Sequence, residues 1–174
     1  MDVALVPPDS AGARAVLEAY FRDVVSWFHR REATQDEVGA AMKKGPSDDL
    51  RPPSGVFFVA RRGGAVIGCA GLRPAGEGTG EVTRVFVLPR ARRRGVGQAL
   101  LDAVEDAARK HGLARLRLDA NSPCTYCAGP APATLQFEPN EVRMALGGRR
   151  TDAGGDVAQL CGRLRGDGHG TGRL

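Results

Sequence analysis

Between Val85 and Leu101 the chain reads VFVLPRARRRGVGQALL. The β-branched, apolar run Val85–Leu88 is stopped by Pro89, which cannot continue a ladder. An arginine-dense loop, Arg90 to Arg94, leads to Gly95 and Gly97. Apolar residues then recur at Val96, Leu100, Ala103, Val104 and Ala107, a helical spacing. The order is therefore strand, basic glycine loop, helix N-terminus. It gathers free backbone N–H groups, the positive end of a helix dipole and several guanidinium groups around one point, and a pyrophosphate suits such a point. Glycine at 95 and 97 would let phosphates approach the backbone with no Cβ in the way.

Three readings compete for this stretch: a cofactor-phosphate loop, a nucleic-acid patch, and a solvated charge run leading into a helix. Two glycines after a strand do not choose among them, and the stretch is neither G-x-x-x-x-G-K-[ST] nor G-x-G-x-x-G. A resemblance does choose. Arg92-Arg93-Arg94-Gly95-Val96-Gly97 fits the Q/R-x-x-G-x-G/A signature of the GNAT superfamily of N-acetyltransferases, and VFVLP resembles that family's fourth strand, which ends in V-x-P. The resemblance implies an α+β fold of three α/β layers, a mixed and mostly antiparallel sheet flanked by helices. It implies acetyl-CoA as co-substrate, with the pyrophosphate held by Arg92, Arg93, Arg94, Gly95, Val96, Gly97 and Gln98. Phe86 and Val87 would meet the acetyl-pantetheine arm as a strand does, and Asn121 would contact the cofactor. An amine would attack the thioester directly, with no covalent enzyme intermediate.

The net charge of +5 and a pI near 9.4 favour anionic ligands such as CoA. Nucleic acid is disfavoured, because two Tyr, one Trp and six Phe leave few stacking surfaces and the arginines cluster at one helix start. No apolar run approaches a membrane span, and MDVALVPPDS lacks the basic start and long apolar core of a signal peptide. Four cysteines in 174 residues make no disulfide scaffold, so a reducing cytoplasm is expected. The partners expected are acetyl-CoA and a small-molecule or peptide amine, with a homodimer left open.

Val3 to Val6 reads as an edge strand closed by two prolines. Ser10 would cap a helix from Ala11 to about Arg30, and Thr34-Gln35-Asp36-Glu37 is a capping box opening a second helix. Gly55–Ala60 and Ala65–Leu72 read as hairpin strands about Arg62-Gly63-Gly64, and Glu81–Leu88 as the next strand. The helix after Gly95 would end at His111-Gly112, before a strand Leu113–Leu118. The element order of the family covers about residues 1–122, and its texture from Ala19 through Gly64 resembles small actinobacterial members.

Beyond Ser122 the likeness stops. The family's next helix carries L-Y-x-x-x-G-F/Y, whose Tyr often protonates the leaving thiolate, and no such helix reads here. Residues 123–174 instead hold ten Gly and six Arg, with few large apolar residues, a composition expected of a poorly ordered tail. Two accounts fit: an extension after a shortened domain, or a reading frame altered near residue 122, which the coincidence of the two breaks favours. Under either, a CoA-binding but catalytically defective protein is the alternative to an active enzyme. Cys124-Thr125-Tyr126-Cys127, with Cys161 and His169, matches no zinc module, so no metal is expected. Glu81 is the candidate general base and is weighed equally against a carboxylate paired with a neighbouring arginine. Tyr126 is the tyrosine nearest the expected place of the general acid.

Overall fold

The computed structural model describes residues 1–119 and 141–145, with side chains for residues 1–118. Among the described residues six strands form one sheet in chain order: β1 (Asp2–Leu5), β2 (Val56–Arg62), β3 (Ala65–Pro74), β4 (Thr79–Val87), β5 (Arg115–Asp119) and β6 (Glu141–Ala145). All neighbours are antiparallel except β4 and β5, which are parallel. A parallel pair needs a crossover. Helix α3 (Val96–Lys110) supplies it, and α1 (Ala11–His29) with α2 (Gln35–Lys44) joins β1 to β2.

The layers follow from which face each apolar residue takes. Val56, Ala60, Ala70, Leu72, Val82 and Val87 bury against Val96, Leu100, Leu101 and Val104 of α3. Phe57, Val59, Cys69 and Phe86 bury against Ala13, Val16 and Leu17 of α1, with Leu50. With both faces covered, β2 and β3 are buried almost continuously and show no clean alternation. Gly68 is needed for the α3 layer, because a Cβ there would stand 3.2 Å from Leu100 and 2.8 Å from the Phe86 carbonyl. Helix α2 docks on α1 through Val38, Phe21 and Ala33.

Element ends differ from the sequence reading in instructive ways. Strand β3 runs on to Pro74 and β4 begins at Thr79, because Arg73 pairs with Glu81 and Pro74 with Gly80 across what reads as a glycine loop. Ser10 stands at the N-cap of α1 but its hydroxyl makes no cap bond. Thr34 and Glu37 do form the reciprocal capping box. Gly112, at φ +68°, is the left-handed residue just past α3. In the tail, whose composition is that of a poorly ordered segment, an amphipathic period reads only at Val142 to Leu146, and there Glu141–Ala145 pairs with β5 and covers that strand's outer edge.

Candidate active site

Strand β4 changes character halfway. Thr79–Val82 pair with Arg115–Leu118 of β5, and past Val82 the described residues give β4 no strand partner on that side. The ladder to β3 also slips here, between Gly71↔Thr83 and Cys69↔Phe86. Arg84 sits in the slip with φ +55°, a left-handed residue in mid-strand. This is a β-bulge, and it reverses which residues face which layer. Val82 faces α3 before it, and Val85 and Val87 face α3 after it, while Phe86 turns to α1.

The bulge decides where the Val87 main chain points. Leu88 N–H donates to Ile67 O at 2.9 Å, so Leu88 and Ile67 are a hydrogen-bonded pair. Antiparallel pairs alternate, so Val87, opposite Gly68, turns its N–H and C=O away from β3, to the side that β5 has left. Its carbonyl accepts from Arg92 Nε at 3.0 Å. The Arg92 guanidinium also pairs with Asp23 of α1 at 3.5 Å and lies 6.0 Å from the Phe86 ring.

After a short 3-10 turn at Pro89–Ala91, Arg93 (φ +58°) and Gly95 (φ +73°) are both left-handed. Tight turns of this kind line up successive N–H groups for an anion. The first intrahelical bond of α3 runs from Ala99 N–H to Gly95 O, so the amides of Val96, Gly97 and Gln98 all precede it. A Cβ at Gly95 would meet nothing within 4 Å, and one at Gly97 only Val87 Cγ2 at 4.0 Å. The described residues leave the space in front of the helix open. Arg93 and Arg94 are exposed beside it. Gln98 bonds along its own helix to Asp102 at 2.9 Å. The structure thus brings Phe86, Val87 and residues 92–98 together at one corner. Asn121 and Tyr126 lie outside the described residues.

Glu81 sits elsewhere, six residues down β4 from Val87, or about 20 Å at strand rise. It stands directly opposite Arg73 of β3 and Arg117 of β5. Arg73 donates to both its oxygens at 3.1 and 3.3 Å, and Arg117 donates at 3.4 Å. Arg73 continues the row to Asp49 at 2.6 Å. The hydrogen bonds that Arg73 donates to Glu81 and Asp49 hold its pKa above the ordinary value. Cys69 is fully buried, which pushes its thiol pKa well up and leaves it no nucleophile.

Two residues of this corner escape a sequence reading, Asp23 and Arg84. Asp23 carries no local signal. Arg84 does carry one: the apolar residues of β4 step by three from Val82 to Val85 and by two to Val87, a break in phase that marks a bulge. Among the described residues no cluster of His, Cys, Asp and Glu suits a metal, and no helix is long and apolar enough to cross a membrane.

Comparison with known proteins names the architecture. The model of the acetyltransferase (GNAT) family matches residues 15–125. The chain belongs to the GNAT acetyltransferase family. It is 46% identical over 71 residues to an IAA acetyltransferase of Azospirillum brasilense, a match spanning 40% of this chain and 46% of that one. The matched stretch is thus less than half of that relative. Among solved structures, PaiA N-acetyltransferase of Thermoplasma acidophilum, in complex with coenzyme A, is 17% identical with a TM-score of 0.52, over 71% of this chain and 83% of that one. An aminoglycoside 6'-N-acetyltransferase complexed with coenzyme A is 14% identical with a TM-score of 0.52, over 68% and 61%. At such identities these likenesses speak for the fold alone.

Proposed function

We propose that this GNAT protein transfers an acetyl group from acetyl-CoA to a primary amine of a small molecule or peptide. One observation carries the reading: an open, left-handed corner at the start of α3 adjoins a strand edge whose Val87 main chain faces away from the sheet. That pairing fits a ligand with an anionic group and an amide-bearing arm. Relatives of the same fold with coenzyme A bound support the choice of ligand.

The amides of Val96, Gly97 and Gln98 would hold the pyrophosphate, with the charges of Arg93 and Arg94 beside it. Arg92, now turned to Val87 and Asp23, borders both the phosphate corner and the arm. Val87 would meet the pantetheine arm as an added strand does, with Phe86 beside it. The thioester supplies an activated acetyl group, and the amine takes it by direct attack. Glu81 is the proposed acceptor of the amine proton, through water, where the arm running down β4 from Val87 would carry the thioester toward it. Its carboxylate offers about four acceptor positions and three guanidinium N–H groups use three, which leaves one for a water. Asn121 is proposed to touch the cofactor and Tyr126 to protonate the leaving thiolate. The acetyl-CoA-binding domain is proposed to span residues 1–122, followed by an atypical Gly/Arg/Pro-rich tail at 123–174.

The test is thermal unfolding of wild type and Gly97→Glu with and without acetyl-CoA. At a hundred times Kd, wild type should gain about 2.7 kcal/mol, a rise of roughly 5–10 °C in Tm. Gly97→Glu should fold, since a Cβ there meets only Val87 at ordinary contact distance, and should show no shift. A cooperative wild-type transition that acetyl-CoA leaves unmoved sinks the proposal. A wild-type shift with no acetyl transfer to any of a panel of amines would leave cofactor binding without turnover, the alternative that the tail raises.

A further inference from the structure

We propose that Arg84 is a positioning residue for acyl transfer: its anchored side chain holds the β4 bulge in the left-handed conformation that presents the Val85–Val87 backbone to the acyl donor. This rests on the reading of β4 as the strand that receives the acetyl-CoA arm.

A residue with a Cβ adopts φ +55° reluctantly, and in mid-strand rarely. Something must hold it there. Arg84 Nη2 donates to Gly45 O at 2.9 Å and Nε to Ser47 Oγ at 3.3 Å. Its guanidinium lies 5.0 Å from the Phe21 ring centre and 5.6 Å from that of Tyr20. Its own carbonyl accepts from Cys69 Sγ at 3.2 Å. Gly45, at the C-cap of α2, leaves room for this grip, because a Cβ there would stand 3.1 Å from Nη2. The side chain is thus tied to α1 and to the loop after α2, while its backbone marks the place where β4 parts from β5. Removing the slip would shift Phe86 and Val87 by one residue, and each would then present the wrong face. Phe86 would leave α1, and the Val87 carbonyl would turn into the β3 ladder.

The experiment uses the full chain as wild type, Arg84→Ala and Arg84→Gly, with the Kd for acetyl-CoA from titration calorimetry and Tm from thermal unfolding. Both variants lose the anchor, and only glycine adopts φ > 0 without strain. Arg84→Ala should weaken acetyl-CoA binding about tenfold, the size of the left-handed penalty a Cβ carries. Arg84→Gly should stay within about threefold of wild type, although glycine loses as much packing and more chain entropy. A role in stability alone predicts the reverse order, so Gly binding as weakly as Ala, or more weakly, overturns the proposal. Unchanged binding in both overturns it too. If Arg84→Ala does not fold, Arg84→Gly decides: binding near wild type supports the proposal, and a loss of about tenfold or more refutes it. Wild type that fails to bind acetyl-CoA would instead remove the functional reading beneath it.

Discussion

Glu81 concentrates the tension between chemistry and structure in a single side chain. It is only 16% exposed and accepts from two arginines on the flanking strands. Replacing it by Gln keeps the shape and removes the charge. If Glu81 is the proton acceptor, Glu81→Gln should lower kcat about 100-fold with KM for acetyl-CoA unchanged. If Glu81 serves only the charged row, Tm should fall while kcat holds, because Arg117 would lose its ion pair and Arg73 one of its two. What sequence revealed here was the residue type and its strand. The row Arg73–Glu81–Arg117 was not legible, because it depends on the parallel register of β4 with β5, which no local pattern encodes. The phosphate corner was legible for the opposite reason. Strand, proline, glycines and helix start are consecutive, so local rules alone assemble them.

At the level of elements, α2 offers a clean electrostatic test. Its capping box binds Thr34 and Glu37 reciprocally, and Arg31 grips the same carboxylate. The Arg31 hydrogen bonds first, and the Thr34 backbone bond next, lower the Glu37 pKa from 4.5 to about 2. A carboxyl held lower in the folded state than in the unfolded one stabilises fully above its unfolded pKa, and that contribution fades as pH falls through the folded value. The contribution of Glu37 should therefore be whole at neutral pH, begin to fade below about 4.5 and be gone near 2. Glu37→Gln should be less stable than wild type at pH 6, with the gap closing toward pH 2. Hydrogen exchange of the first-turn amides of α2 at several pH values would read it locally. A gap independent of pH would mean that the charge contributes nothing and the cap acts through neutral hydrogen bonds alone. Thr34, three residues before Glu37, is a sequence signature, so this element was predictable to its first residue. Its third partner Arg31 was not, since the turn between the helices brings it back.

Across the whole molecule, the break in composition after Ser122 meets the sheet at β6. The family match ends at residue 125, close to where the apolar pattern fails. Yet Glu141–Ala145 completes the sheet, and its register sets Met144 opposite Leu116 and Val142 opposite Leu118. The intervening rows are ill-matched: Arg143 stands opposite Arg117, and Glu141 opposite Asp119. Like charges directly across a ladder destabilise it. The register thus sets apolar residues opposite apolar ones and like-charged residues opposite one another. It also makes the pairing correctable. Arg143→Glu would set a carboxylate opposite Arg117, whose Nε is buried with no hydrogen-bond partner among the described residues. The gain should be about 0.2–1 kcal/mol, or roughly 1–4 °C in Tm, and should shrink in high salt. Arg143→Ala should recover only the relief of repulsion, so Glu should exceed Ala. Equal Tm for all three proteins would mean that β5 and this segment are not in that register. The outer edge of β5 would then need another partner, and the protein should self-associate as its concentration rises, which sedimentation would detect.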